Sequence, residues 1–442
     1  MKNDRILILG AGLAGSLLAK MLSDHGFEVE VLEKRSDPRQ AKLAEGRSIN
    51  LALSHRGIHA LKKAGVFDTI KDELILMKGR MMHSQEGDLT FQSYGKENQG
   101  INSVSRNGLN IALINAAEEA GVDFHFDKRC TDVDIESSAA IVDSGGQSVR
   151  YEADVLIGAD GAFSALRRRL MMTDRFNYEQ MFIEHGYKEL SMPSVRGDFA
   201  MEPHYLHIWP RGNYMLIALP NPDKTFTCTL FFPYQGNPSF GSLDSGEKVK
   251  NFFDEQFRDA AEKIPDLLEQ YASNPTSSLV TIRCKPWNYK RNLLLGDAAH
   301  AIVPFYGQGM NAAFEDCRIF TEMGEEMSFD WDQLLPKFAR ERRKDADAIA
   351  DLALRNFIEM RDQVADEDFL ERKKTDAAMH EQFGDRWMPL YSMVTFSDLP
   401  YSYAKNQGYR QEEALRIAQE KNKIHDHETV LSIFNELNPN GH

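Results

Sequence analysis

Residues 5–35, RILILGAGLAGSLLAKMLSDHGFEVEVLEKR, constrain the fold of this chain more than any other stretch. Ile6-Leu7-Ile8-Leu9 is a short apolar run, the pattern of a parallel strand buried on both faces. Gly10, Gly12 and Gly15 follow as G-x-G-x-x-G, and Leu17, Leu18, Met21 and Leu22 then recur at helical spacing. A second strand over 28–32 ends at Glu33, where a carboxylate can bond a ribose hydroxyl. Each part has its physical reason: the turn must be tight, the backbone must approach a pyrophosphate closely, and the helix N-terminus must face its charge. A dinucleotide-binding fold is expected. Glu33 in place of an Arg favours a free 2′-hydroxyl, hence FAD or NAD over NADP, and the loop alone does not choose between them.

Two later stretches repeat the pattern of strand, glycine and acid. Residues 153–169, ADVLIGADGAFSALRRR, carry Asp160 in a Gly-Ala-Asp-Gly turn before Arg167, Arg168 and Arg169. Taken alone, that is equally a strand and turn leading to a helix with a solvated basic face. Residues 293–317, LLLGDAAHAIVPFYGQGMNAAFEDC, place Gly296-Asp297 after a buried strand, where the acid can reach a second ribose or ribityl hydroxyl. Gly307 and Gly309 then let a helix start with its amide groups aimed at a developing anion.

GxGxxG, GADG and GD in that order resemble the flavin-dependent aromatic hydroxylases of the para-hydroxybenzoate hydroxylase group, in which three distant segments assemble one flavin site. The resemblance implies that FAD is bound without a covalent link, that NADPH is a co-substrate with no Rossmann domain of its own, and that O2 adds at flavin C4a. The resulting hydroperoxide would deliver oxygen to an electron-rich ring. Contacts to FAD are implied for Gly10, Gly12, Leu13, Ala14, Gly15, Glu33, Lys34, Arg106, Asp160, Gly296, Asp297, Pro304, Gly307, Gly309, Met310 and Asn311. Arg47 would face the flavin or the nicotinamide phosphates; for Arg47 and Arg106 alike an ordinary salt bridge is the alternative.

GRSINLALSHRG (46–57), GRMMHSQEG (79–87), INSVSRNGLN (101–110) and VPFYGQGMN narrow the resemblance to the L-kynurenine-hydroxylating branch of that family. Insertion of one oxygen atom beside the aniline nitrogen is the activity implied. Independently, Arg80 and Tyr94 flank Glu86-Gly87-Asp88, a hairpin loop. With a three-residue loop, Gln85 pairs with Leu89 and Arg80 lies opposite Tyr94, making a carboxylate clamp. A surface Arg beside a half-buried Tyr is the plain alternative. By resemblance both bind the substrate carboxylate, together with Tyr391.

Residues 345–363 form an expected helix, with Ala346, Ile349, Leu352, Ala353, Asn356, Glu359 and Met360 on one stripe. Polar Asn356 and Glu359 on that apolar face need partners, which a neighbouring loop could supply. The resemblance gives Asn356 a bond to substrate, and Glu359 and Met360 a place in its wall. Alternating runs over 176–275 indicate an antiparallel sheet. From it Met215, Leu219 and Phe231 are carried over as an aromatic-substrate wall, with Pro304, Phe305 and Tyr306 opposite; by spacing alone all six are core residues.

The expected fold is α/β: a Rossmann-like FAD-binding domain (1–70, 101–175 and 276–325), an inserted antiparallel-sheet substrate domain (71–100 and 176–275) and a C-terminal helical region (326–442). A formal net charge of −15 gives no support to nucleic-acid binding. Four cysteines without CxxC spacing, and thirteen scattered histidines, suggest neither a disulfide framework nor a metal constellation. No nucleophile–base pair emerges, and His300 is expected to pack and hydrogen-bond. No signal peptide or membrane span is expected, and the charged tail over 401–442 departs from the membrane-anchored animal members of the branch. A cytoplasmic enzyme is the expectation. The alternatives are a related hydroxylase acting on another aromatic acid and a non-catalytic flavoprotein serving as a redox sensor.

Overall fold

In the computed structural model the described residues are 4–40, 50–94, 99–144, 146–362 and 367–437. The first apolar run forms the strand Arg5–Leu9, at the centre of a six-stranded sheet. Val155–Gly158 pairs with it in parallel on one side and Glu28–Leu32 on the other, with Ile6 opposite both Val155 and Val29. Asn292–Leu294 extends the sheet beyond Val155–Gly158, again in parallel. Residues 6–9 and 155–157 are apolar throughout, as strands buried on both faces are, while Glu28 and Glu30 interrupt the strand beside them. Helix Leu13–Asp24 buries Leu17, Leu18, Met21 and Leu22 against the sheet and packs on helices Arg106–Glu119 and Gly309–Glu326.

A seven-stranded sheet forms the second layer. Its long strand Asn177–Met192 pairs with Thr276–Lys285 and Phe226–Pro233, followed by Tyr214–Pro220 and Tyr205–Arg211. Gly79–His83 joins Tyr205–Arg211 in parallel, and Leu89–Ser93 is the exposed edge. Side chains alternate across a strand. Leu216, Leu230 and Phe232 therefore enter a core with Val249 and Phe253 of helix Gly246–Gln256, while Met215 and Phe231 face the other way. Truncating a core residue such as Leu216 to Ala should cost about 2–5 kcal/mol.

Asn50–Leu53, Ile101–Ser105 and Ile75–Met77 form a small antiparallel sheet between the two layers. Asn50 Nδ2 and Ser103 Oγ both donate to the Pro220 carbonyl (2.7 and 2.9 Å), which fastens it to the seven-stranded sheet. Sheet membership differs from the expected domain limits at two places. Thr276–Lys285 belongs to the seven-stranded sheet, and Ile75–Met77 pairs with Ile101–Ser105 in the small sheet. Backbone pairing decides this, and an apolar pattern does not record it.

Helices Trp331–Asp362, Glu367–Phe383, Leu390–Thr395, Tyr401–Glu420 and His427–Leu437 complete the chain. Met379, Trp387, Leu415, Val430 and Phe434 give the last of them their own core. Among the described residues, no helix is long and apolar enough to cross a membrane.

Candidate functional site

The three acid-bearing turns meet because their strands are neighbours. Gly10 has φ +100°, and a Cβ there would stand 2.7 Å from the Ala159 carbonyl oxygen of the second turn. A Cβ on Gly15 would stand 2.0 Å from the Gly10 carbonyl oxygen, so close approach of helix and strand requires glycine. Gly296, at φ +59°, has Ala14 and Ala313 as neighbours, which sets the third turn between helices Leu13–Asp24 and Gly309–Glu326. Arg167 ties the second turn to the third: its Nη1 donates to the Ala298 carbonyl at 2.6 Å. The sequence left open a solvated basic face here; Arg168 and Arg169 are exposed, but Arg167 is buried.

This cradle fits a dinucleotide. A Cβ at Gly12 would meet nothing within 4 Å, so backbone and open space coincide where a pyrophosphate approaches. Neither the helix beginning at Leu13 nor that beginning at Gly309 has a side-chain cap, and neither has an acid in its first turn. Their amides are available to negative charge. Glu33 is buried; its Oε2 accepts the Ala11 amide at 2.9 Å, and Arg35 bonds its Oε1 through amide and Nε. Burial alone would raise its pKa, but the Arg35 contacts reverse this and hold it below the ordinary carboxylate range. Lys34 beside it is exposed.

Asp160 turns back beneath its own loop. Its Oδ2 accepts the Ala165 amide at 2.6 Å, its Oδ1 is buried without a hydrogen-bond partner among the described residues, and burial raises its pKa. Asp297 is exposed at its turn, and Arg106 is exposed at the start of helix Arg106–Glu119. Asn311 serves the backbone: its Oδ1 accepts the Ser54 amide (2.9 Å), and its Nδ2 donates to the carbonyls of Ala52 and Gly307 (2.8 and 3.0 Å). Met310 is half-buried against the core, and Pro304 is exposed. Arg47 and the Met360 side chain lie outside the described residues.

Beside the cradle lies a cavity of about 730 Å³ lined by Arg80, Met215, Phe231, Tyr306, Asn356 and Tyr391, among others. The hairpin register differs from expectation. The loop has five residues, 84–88, so His83 pairs with Leu89 and Arg80 with Gln92. The shift is two residues, which preserves strand parity, so Arg80 and Tyr94 remain on one face. The Arg80 guanidinium carbon is 5.4 Å from the Tyr94 ring centre and 5.0 Å from that of Tyr391. Those two rings stack at 5.6 Å, and Tyr306 stacks on Tyr391 at 5.8 Å. Arg80 Nε and Tyr94 Oη are buried without hydrogen-bond partners among the described residues. Burial pushes the three phenols above their ordinary pKa, so they remain donors beside a fixed cation. A cation set beside phenol donors is a group of side chains that could bind an anion.

Met215 and Phe231 are direct cross-strand partners on the cavity wall, and Phe305 packs between Phe231 (5.1 Å) and Phe357 (4.6 Å). Leu219 packs instead with Met77, Tyr94 and Ile101. Asn356 donates to the Phe305 carbonyl at 2.7 Å, which holds the elbow 304–306 against helix Trp331–Asp362. Glu359 lines the cavity and accepts from Arg355 Nε at 2.8 Å.

The chain matches the FAD binding domain family over residues 4–353. It is 46% identical over 432 residues to kynurenine 3-monooxygenase of Flavobacterium psychrophilum, covering 97% of this chain and 96% of that one. It belongs to the kynurenine 3-monooxygenase family. The enzyme of that name from Dictyostelium discoideum is 45% identical over 93% of this chain and 92% of its own. Among solved structures, 2-methyl-3-hydroxypyridine-5-carboxylic acid oxygenase superposes with TM-score 0.69 at 20% identity, covering 82% of this chain and 94% of its own. PqsL of P. aeruginosa in complex with 2-aminobenzoylacetate does so with TM-score 0.66 at 20% identity, over 82% and 97%. The fold is thus that of FAD-dependent aromatic monooxygenases.

Residues that sequence reasoning missed lie beneath the flavin-side helix of this family member. Buried Asp316 accepts from the Gly296 amide (3.2 Å), from Arg342 Nε (2.6 Å) and contacts His300 Nε2 (2.5 Å). Glu315 bridges Arg342 (2.6 Å) and Arg56 (2.5 Å), and Arg56 also donates to the carbonyls of Val394, Met393 and Leu399. His300 packs on Trp287 as well, consistent with the role expected of it. The signal was present in FEDC as two adjacent acids flanked by Phe314 and Cys317, but the cations Arg56 and Arg342 come from distant segments.

Proposed function

We propose that this chain hydroxylates L-kynurenine on the ring carbon beside the aniline nitrogen, consuming NADPH and O2 with FAD bound non-covalently. One observation carries the substrate assignment: a guanidinium whose Nε is buried and unpartnered among the described residues, flanked by phenol donors, on the wall of the cavity beside the nucleotide cradle. An amino-acid carboxylate satisfies it. Bound FAD, reduced by NADPH, supplies oxygen activated from O2.

The rest is the work of the chain's own residues. Arg80, Tyr94 and Tyr391 hold the carboxylate; Met215, Phe231 and Tyr306 confine the ring and keep water from the reacting face. Asn356 fixes the elbow through Phe305, and the uncapped amides opening helix Gly309–Glu326 would be available to the negative charge of FAD when it is bound and reduced. The division of labour follows the two layers, with the cradle on the parallel sheet and the substrate wall on the antiparallel one. Four free cysteines favour the cytoplasm as compartment.

Incubation with L-kynurenine, NADPH and air, followed by mass spectrometry, tests the assignment. A product one oxygen atom heavier, with L-kynurenine stimulating NADPH oxidation and para-hydroxybenzoate leaving it unchanged, is expected. Stimulation by para-hydroxybenzoate alone would refute it.

A further inference from the structure

Helix His55–Lys63 carries two histidines one turn apart, a spacing that sets both imidazoles on one face. Both meet the same carboxylate from the far end of the chain. His55 Nε2 is 2.8 Å from Asp398 Oδ2, and His59 Nδ1 is 3.2 Å from each Asp398 oxygen. One ligand atom from each of the three lies within 4.8 Å of the other two. A tetrahedral ion with bonds of ~2.0–2.1 Å sets its ligands ~3.3 Å apart. The His59–Asp398 distance of 3.2 Å already has that spacing, while His55–Asp398, at 2.8 Å, must open by side-chain rotation to reach ~3.3 Å.

We propose that His55, His59 and Asp398 form a binding site for a divalent transition-metal ion of the zinc type. Two imidazole nitrogens and one carboxylate oxygen are a donor set such ions take, with water in the remaining position. The three side chains are 45%, 41% and 40% exposed, so an ion has a path in. Arg318 Nη2 is the competing cation, 3.7 Å from Asp398 Oδ1, but its guanidinium is held by Glu322 at 2.8 Å and Glu315 at 3.6 Å. None of the three ligands belongs to the cradle or the substrate cavity.

The ion has a structural consequence. Arg56, between the two histidines, already grips the carbonyls of Met393, Val394 and Leu399. That segment follows Tyr391 on helix Leu390–Thr395. A metal at Asp398 adds a second tie between helix His55–Lys63, which packs on helix Gly309–Glu326, and the segment that follows Tyr391. Binding to the folded chain alone raises its unfolding temperature.

The FAD-loaded chain, stripped with EDTA and titrated with ZnCl2 in a calorimeter, provides the test, in the absence of substrate. One zinc per chain is expected, with affinity reduced at least tenfold in His59→Ala and in Asp398→Asn, and zinc should raise the unfolding temperature of the native chain but not of Asp398→Asn. Matching flavin content shows that the variants are folded, and either variant suffices alone. Failure of the native chain to bind zinc overturns the proposal, as does unchanged affinity in the folded variants, which marks an adventitious ion elsewhere.

Discussion

Arg80 and Tyr391 come from opposite ends of the chain, yet the guanidinium carbon lies 5.0 Å from the centre of the tyrosine ring. A hairpin next to an exposed sheet edge and a short helix in the C-terminal region thus share one buried cation. Nothing local to either segment requires this; the cavity between them does.

Arg80→Ala should raise the KM or Kd for L-kynurenine by a factor corresponding to about 2–5 kcal/mol, the cost of leaving a carboxylate in a closed site without its cation. FAD content should be unchanged, because Arg80 does not touch the cradle. Tyr94→Phe should give a smaller loss, near the ~1.5–3 kcal/mol of one hydrogen bond to a charged group. Perturbation of the flavin absorbance by added L-kynurenine measures both, and native affinity in both variants would exclude the clamp.

Gly12 and Gly15 should respond differently to Ala. At Gly15 the new Cβ meets the Gly10 carbonyl oxygen at 2.0 Å, so strand and helix must separate and the fold suffers. At Gly12 the Cβ meets no protein atom within 4 Å and φ is −76°, so the apo chain should keep its native circular dichroism and urea midpoint. FAD affinity should nevertheless fall, since that space is where the pyrophosphate must approach. Equal FAD binding by Gly12→Ala and the native chain would place the nucleotide elsewhere.

Asp316→Ala should destabilise the chain by about 1–3 kcal/mol, because Arg342 Nε loses its buried acceptor while Glu315 still pairs with the same guanidinium. The Gly296 amide also loses its acceptor, so FAD affinity should fall together with stability. Urea unfolding with and without added FAD separates the two effects: the FAD-dependent increment should shrink in the variant.

His207 gives a pH signature. Burial lowers its pKa to about 4, while its contact with the Glu202 carbonyl partly opposes that. The unfolded chain takes up this proton near pH ~6.5, whereas the folded chain resists until about 4. Stability should therefore be intact above pH ~6.5 and decline as the pH falls toward 4, since the unfolded state binds more protons in that window. Urea midpoints across that range should flatten in His207→Gln relative to the native chain.

Much of the cradle could be inferred before any coordinates. Gly10, Gly12, Gly15, Glu33 and the Gly296 turn are local requirements: a left-handed φ, a close backbone approach or a carboxylate at a strand end leaves its mark on the residues that meet it. Strand alternation carried the clamp as well, since the hairpin register moved by two residues and parity kept Arg80 and Tyr94 on one face. Asn311 shows the limit, because its place in the motif suggested a ligand contact while its amide ties Ala52, Ser54 and Gly307 together.

Amino-acid order by itself determined the buried strands, the three separate glycine turns and a backbone open to a dinucleotide pyrophosphate, because each depends on contacts a few residues long. Tertiary structure alone decided that Thr276–Lys285 joins the substrate-side sheet, that Arg167 bridges two turns, and that Arg56, Glu315, Asp316 and Arg342 neutralise one another beneath the flavin-side helix. Those arrangements arise from burial: a charge removed from water must find its partner wherever the packed chain brings one, and sequence separation places no limit on that search.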